Sequence, residues 1–76
     1  MKRQFEESFL DMILFDVREI SNKENSTITK NYYDCYNYLS EIIDALANTA
    51  SDWLMVELSI QKQYYKYRYL YYKGLI

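Results

Sequence analysis

Tyrosine and basic side chains dominate the last third of the sequence. Residues 61–73 contain six tyrosines, four cations and no acidic residue. On a helix, three of the lysines lie along one side with three tyrosines beside them. Cations bind a phosphate backbone, and tyrosine rings stack on unpaired bases for roughly 1–3 kcal/mol per base. The candidate nucleic-acid site therefore consists of Lys62, Tyr65, Lys66, Arg68, Tyr69, Tyr72 and Lys73.

The same residues have two other interpretations. Tyrosine is also a favoured residue of amphipathic interfaces and packed cores. The cations can instead neutralise the acidic remainder of the chain. We favour packing in a core or an interface over direct contact with nucleic acid.

Negative charge is concentrated in residues 1–57, which hold all eleven carboxylates and five cations, whereas residues 58–76 hold four cations. Acidic helices can imitate the phosphate backbone of DNA and compete for a basic channel through electrostatic complementarity. Acidic helix faces also serve as ordinary solubility devices, and that interpretation stays open. The candidate partner-binding residues are Glu6, Glu7, Asp11, Glu19, Asp34, Glu41 and Asp44.

The side chains that enzymes use most often are scarce. The chain has no histidine, one cysteine (Cys35) and one glycine (Gly74). Nucleophilic triads, phosphate-cradling loops and haem or zinc ligation therefore lack parts. Acid pairs such as Glu41 with Asp44 can in principle hold magnesium, but acids at this helical spacing are usually solvated surface. We expect no catalysis, no cofactor and no metal.

The length of 76 residues fits a single domain, 1–76, with a marginal core. A domain of this size buries only roughly 60% of its unfolded surface. Cys35 has no partner for an internal disulfide, yet half of the residues are apolar by a broad count. That is more than a lone chain of this size hides easily, so we predict a homodimer with a shared core.

The first residues do not resemble an export signal. Met1-Lys2-Arg3 is followed by Gln4-Phe5-Glu6-Glu7, where a signal peptide needs its apolar stretch. No uncharged run approaches the roughly 18 residues of a membrane span. We expect a cytoplasmic protein without membrane contact.

The elements that carry these residues are predicted to be helices, because the chain has no proline and its interior has no glycine. The predicted all-α fold has about three helices, over residues 3–21, residues 28–46 and from residue 52 onward. Thr27 or Ser26 caps the second helix, and Ser51 begins the third. Residues 65–71 also alternate with period two, so a strand is the alternative there.

Each predicted helix has an apolar face. In the second helix this face repeats at steps of four and three, as in a heptad seam, through Ile28, Tyr32, Cys35, Leu39, Ile42 and Leu46. The first helix uses Phe5, Phe9, Met12, Ile13, Val17 and Ile20, with Leu10 at the edge. The third uses Trp53, Val56, Ile60, Tyr67 and Leu70.

Asp16 falls in the middle of the apolar face of the first helix. Burying a lone carboxylate is costly. We therefore expect Asp16 to lie at a rim or to pair with a cation or a tyrosine hydroxyl of the third helix. A contact with a basic binding partner is the functional alternative.

The size, helical pattern, acidic faces and AT-biased residue usage, with 31 residues of Lys, Asn, Ile, Tyr and Phe, together resemble a type of phage protein. The chain resembles the small early proteins with which phages of low-GC Gram-positive bacteria disable host machinery, most nearly the DNA-mimicking sliding-clamp inhibitors. The resemblance is of type and covers the whole chain. It implies that the carboxylates of a dimer occupy the clamp's DNA channel in the host cytoplasm. Neither Gln4-Phe5-Glu6-Glu7-Ser8-Phe9 nor Gln61-Lys62-Gln63-Tyr64-Tyr65 fits the motif that binds the clamp's peptide pocket.

We therefore expect a non-enzymatic protein that inhibits a host DNA-transacting protein through its acidic face. A small nucleic-acid-binding accessory protein, which uses the tyrosine and lysine helix, is the alternative. A structural subunit that forms discrete higher oligomers is the third hypothesis.

Overall fold

Three helices make up the chain in the computed structural model, which describes residues 2–76. Helix α1 spans Lys2–Ser21, α2 spans Ile28–Leu46 and α3 spans Asp52–Lys73. No strand occurs between residues 2 and 76, so the predicted all-α fold is confirmed. Helix α2 packs along both neighbours and most extensively along α3, whereas α1 and α3 touch at fewer positions. The result is a flattened bundle of 42 × 24 × 15 Å.

Side-chain caps fix where α2 and α3 begin. Thr27 Oγ1 accepts a hydrogen bond from the Lys30 N–H at 3.1 Å. Ser51 Oγ accepts one from the Leu54 N–H at 3.4 Å. Both predicted helix starts are therefore confirmed. At the other end of α3, Gly74 adopts a φ of 84°, a left-handed conformation that a residue without Cβ takes at low cost.

The connection between α1 and α2 is held by Asn31, which is buried in the first turns of α2. Its Nδ2 donates to the carbonyl oxygens of Lys23 at 3.0 Å and Ser21 at 3.4 Å. A buried amide needs such partners. This one ties the end of α1 and the following loop to α2.

The core draws on all three helices. Cys35 and Leu39 of α2 are fully buried, as the heptad pattern predicts. Cys35 Sγ donates to the carbonyl oxygen of Val17 at 3.3 Å, and burial raises the pKa of this thiol to about 11. The buried apolar residues are Leu10, Ile13, Val17, Cys35, Leu39, Leu54 and Leu58.

The apolar face predicted for α1 is only partly correct. Ile13 and Val17 are buried as predicted, and Leu10, which is predicted at the edge, is buried as well. Phe5 and Met12 are predicted to be buried but are 71% and 54% exposed. The buried apolar residues of α1 form a narrow stripe at positions 10, 13 and 17. Phe9 and Ile20 pack partly buried against this core, whereas Phe5 and Met12 stay outside.

The buried face predicted for α3 is mostly wrong, although Trp53 is partly buried against the core as predicted. Leu54 and Leu58 are the buried residues, whereas Val56, Ile60 and Tyr67 are 55%, 54% and 59% exposed. The two sets lie on nearly opposite sides of the helix. The tyrosines of α2 pack against the Leu54 side of α3, so that side enters the core and the other remains outside.

Asp16 pairs with a tyrosine hydroxyl, as expected, but the tyrosine belongs to α2. Tyr38 Oη donates to Asp16 Oδ2 at 2.7 Å. Burial, this hydrogen bond and the carboxylate charge raise the pKa of Tyr38 to about 12. The pair fixes α1 against α2.

Candidate functional site

Three carboxylates form a row on the outside of α2, which we call the acidic stripe: Asp34, Glu41 and Asp44. On the helical wheel, Glu41 and Asp44 lie on the side of α2 away from Cys35 and Leu39, and Asp34 lies at the edge of that side. Asp34 and Asp44 are about 15 Å apart along the helix axis. The stripe therefore points away from the core.

The environment of the acidic stripe differs along its length. Asp34 Oδ2 forms an ion pair with Lys30 Nζ at 3.0 Å, so a cation covers the N-terminal end. Glu41 and Asp44 are exposed. Among the side chains of residues 3–76, none forms an ion pair with either of these two carboxylates. The strongest negative field of α2 therefore lies over its C-terminal half.

Glu6 is not part of an exposed acidic face. It is only 4% exposed. Its Oε2 accepts a hydrogen bond from the Ser51 N–H at 3.0 Å, and its Oε1 accepts one from the Ser51 hydroxyl. Ser51 is the N-cap of α3, where the backbone N–H groups favour a negative charge. Glu6 therefore acts in the structure as a support for the start of α3.

The remaining acids of α1 lie on different sides of that helix. Glu7 pairs with Arg3 at 3.1 Å, and the Arg3 guanidinium lies 3.9 Å from the centre of the Trp53 ring of α3. Asp11 follows Glu7 by four residues and shares its side. Glu19 is exposed one turn after Asp16, which faces α2. The seven acids predicted to bind a partner therefore do not form one surface.

The tyrosines of the candidate nucleic-acid site pack against α2. The Tyr65 and Tyr72 rings lie 5.9 and 5.6 Å from that of Tyr32, and the Tyr69 ring lies 5.1 Å from that of Tyr33. These contacts cover part of each ring within the fold, and Tyr72 remains 42% exposed. Base stacking needs a free ring face, and the contacts with Tyr32 and Tyr33 reduce what these three tyrosines offer.

Most of the cations of that site also lie over tyrosine rings. The Arg68 guanidinium lies 5.7 Å from the centre of the Tyr32 ring and 5.5 Å from that of Tyr64. Lys62 Nζ lies 5.4 Å from the centre of the Tyr36 ring. Lys73 Nζ donates to Tyr69 Oη at 2.8 Å. The contacts of Arg68 with Tyr32 and of Lys62 with Tyr36 join α3 to α2, and cation–π contacts of this kind stabilise that packing.

The outer side of α3 carries an apolar stripe that the bundle does not cover. Val56 and Ile60 are more than half exposed, and so are Tyr67 and Tyr71, at 59% and 62%. A shallow groove runs along its N-terminal half, lined by Asp52, Met55, Val56, Ser59, Ile60 and Gln63. A second apolar patch lies on α1, where Phe5, Met12 and Phe15 are exposed.

None of the helices within residues 2–76 is long and apolar enough to cross a lipid bilayer. In the same residues, no three acidic or cysteine side chains come together as metal ligands would.

Two features of the surface were not accessible to sequence reasoning. Glu6 and Ser51 are 45 residues apart, and no local pattern announces their contact. The helical spacing of Val56 and Ile60 did signal an apolar face, but not whether this chain covers it. Leu54 and Leu58 are also four residues apart, so the sequence equally signalled the face that is buried in the structure.

No protein-family model matches this chain, and no curated protein or solved structure shows significant similarity to it.

Proposed function

We propose that this protein is a non-enzymatic inhibitor that binds the basic, DNA-binding surface of a host protein through the acidic stripe of α2. The observation that carries the proposal is the position of Glu41 and Asp44. Both carboxylates are exposed on the side of α2 that faces away from the core. Structural roles account for Glu6 and Asp16, which are bound inside the bundle, but not for these two.

The candidate target is the DNA polymerase sliding clamp. A clamp encloses DNA in a basic channel, and a row of carboxylates on a rigid helix can take the place of phosphates there. Charges of opposite sign accelerate the encounter and suppress wrong partners. An occupied channel cannot load DNA, so replication in the host cytoplasm would stop. A homodimer would present two acidic stripes.

The packing of the tyrosines weighs against direct binding of nucleic acid. Tyr65, Tyr69 and Tyr72 have their rings against α2. The cations Lys62 and Lys73 lie beside tyrosines. These contacts favour internal packing as the reason for the unusual composition of α3.

The test compares two variants with equal net charge. The first reverses the acidic stripe (Asp34→Lys, Glu41→Lys, Asp44→Lys). The second reverses three acids outside it (Glu7→Lys, Asp11→Lys, Glu24→Lys). Dissociation constants for a purified sliding clamp from a low-GC Gram-positive bacterium are measured by calorimetry at two salt concentrations.

The wild-type protein should bind the clamp, with an affinity that falls as salt rises. Reversal of the stripe should weaken binding by about a hundredfold or more, since three attractive contacts become repulsive. The control variant should stay within several-fold of the wild type. Equal losses in both variants would contradict a localised stripe, and absence of any clamp binding would remove the clamp as target.

A further inference from the structure

The outer face of α3 has the spacing of a helix–helix seam. Its positions follow one another at steps of three and four residues, as the a and d positions of a heptad do. Trp53 and Leu70 at its ends are half-buried, and Trp53 also packs against the core and against Arg3 of its own chain. Val56, Ile60 and Tyr67 are more than half exposed. The seam consists of Trp53, Val56, Ile60, Gln63, Tyr67 and Leu70.

The exposed apolar area is large for a chain of this size. Tyr64, Tyr67 and Tyr71 are 49%, 59% and 62% exposed. Since a tyrosine offers roughly 150–250 Å², these three rings alone leave on the order of 300 Å² in water. With Val56 and Ile60, the patch reaches the size of the largest apolar patch on a typical monomer, which is often functional.

Charge along α3 indicates what covers this patch. The N-terminal half of the helix carries the acids Asp52 and Glu57, and the C-terminal half carries only cations. A second α3 laid antiparallel places acidic half against basic half, whereas a parallel one places like charges together. The helix is therefore electrostatically complementary to a reversed copy of itself.

We infer that two copies of this chain form a homodimer through an antiparallel α3–α3 seam, in which Asp52 of each chain lies beside Lys73 of the partner subunit. In this register, each heptad position a of one helix faces a heptad position d of the other helix. Trp53 lies opposite the partner subunit's Leu70, and Val56 lies opposite the partner subunit's Tyr67. Ile60 lies opposite the partner subunit's Gln63.

The flanking residues fit the same register. In an antiparallel pair related by a two-fold axis, each flank of the seam faces the same flank of the other helix. One flank holds Asp52, Ser59, Lys66 and Lys73, and this register pairs Asp52 with the partner subunit's Lys73. Because the axis repeats every contact, this ion pair occurs twice.

The groove on α3 has the form that such a partner requires. Val56, Ser59, Ile60 and Gln63 line it at spacings of three, four and seven residues. Four residues at this spacing form the hole that accepts one side chain of a facing helix. A polar residue at a seam position, here Gln63 near the two-fold axis, is a known device for fixing register.

The first experiment tests which face forms the dimer. The mass of the wild type and of two variants is measured by light scattering and sedimentation at tens of micromolar. Ile60→Glu places a charge in the seam. Phe15→Glu is the matched control on α1, where Phe15 is 57% exposed and Ile60 is 54% exposed.

The wild type and Phe15→Glu should have the mass of a dimer, and Ile60→Glu that of a monomer. Both substitutions lie on exposed helix surface, so the helical circular dichroism should be unchanged and should exclude misfolding as the cause. A monomeric wild type would overturn the inference. So would dissociation by Phe15→Glu with a persistent dimer in Ile60→Glu.

The second experiment tests orientation and register by charge exchange. Asp52→Lys alone, or Lys73→Asp alone, should raise the dimer dissociation constant by about tenfold, because two symmetric attractive pairs become repulsive. The double variant Asp52→Lys with Lys73→Asp should restore it to near the wild-type value. Failure of the double variant to restore the dimer would overturn the antiparallel register.

The dimer does not depend on the acidic stripe, which lies on α2. Reversal of Asp34, Glu41 and Asp44 should therefore leave the dimeric mass unchanged. The seam and the proposed inhibitory function can fail separately in these measurements.

Discussion

The carboxylate of Glu6 in α1 accepts hydrogen bonds from both the backbone N–H and the hydroxyl of Ser51, the residue that caps α3. The contact spans 45 residues and joins the first turns of two helices that otherwise touch little. It fixes where α3 begins relative to α1.

Loss of the Glu6 carboxylate should destabilise the fold. Glu6→Ala leaves the Ser51 N–H without its charged acceptor in a site that is only 4% exposed. A hydrogen bond to a charged group contributes about 1.5–3 kcal/mol, so the free energy of unfolding should fall by about 2–3 kcal/mol in urea titrations. The control Glu7→Ala removes an exposed ion pair and should cost less than about 1 kcal/mol. Equal costs for the two variants would contradict this role of Glu6.

The Asp16–Tyr38 hydrogen bond should appear as a coupling between two substitutions. Tyr38→Phe removes the donor, Asp16→Asn removes the charge of the acceptor, and the double variant completes a cycle. We expect each single change to cost about 1 kcal/mol. The double variant should cost less than the sum of the two. Strict additivity in urea unfolding would show that the 2.7 Å contact contributes nothing.

Alkaline pH should weaken the fold through Cys35. Burial raises the pKa of this thiol from an ordinary value of 9.0 to about 11. The unfolded chain therefore loses the thiol proton first, and the contribution of Cys35 is complete below pH 9 and is lost as pH rises toward 11. Urea unfolding at several pH values should show this loss in the wild type.

The control for that titration is Cys35→Val, which keeps an apolar side chain and removes the ionisable group. Its stability should fall less steeply with pH than that of the wild type between pH 9 and 11, the interval set by the two pKa values. Tyr38 is unchanged in both proteins, and its own alkaline effect cancels in the comparison. Parallel pH profiles for the two proteins would contradict the account.

The two apolar sides of α3 should respond differently to truncation. Leu58 is fully buried, so Leu58→Ala should lower the free energy of unfolding by about 2–5 kcal/mol. Ile60 is 54% exposed, and Ile60→Ala should cost less than about 1 kcal/mol at protein concentrations where the chain is monomeric. The reverse order in denaturant titrations would mean that α3 docks by its other side.

The contrast between Leu58 and Ile60 marks the limit of what the sequence predicts. The absence of proline and the apolar periods predict three helices, and the caps at Thr27 and Ser51 are readable because capping is local. The face by which α3 docks is not readable, because it carries apolar residues at helical spacing on both sides. Only the tertiary fit with the tyrosines of α2 decides between them.

The candidate site was predictable to a similar degree. The row of Asp34, Glu41 and Asp44 follows from helical geometry alone, since all three share one face of one helix. Glu6 and Glu7 of α1 do not extend this row, because only tertiary contacts bring acids of different helices onto one surface. Glu6 is buried at Ser51, and Glu7 pairs with Arg3 on the α3 side of α1.

Binding of a basic DNA-binding protein by the acidic stripe of α2 can be measured in a pull-down with three baits. The wild type, the variant with Asp34, Glu41 and Asp44 reversed to lysine, and the control with Glu7, Asp11 and Glu24 reversed are each incubated with nuclease-treated lysate of a low-GC Gram-positive bacterium. Bound proteins are identified by mass spectrometry at moderate salt. We predict that the wild type and the control retain the same replication or transcription protein and that the stripe variant loses it. Retention by the stripe variant, or loss of every partner on nuclease treatment, would contradict the account.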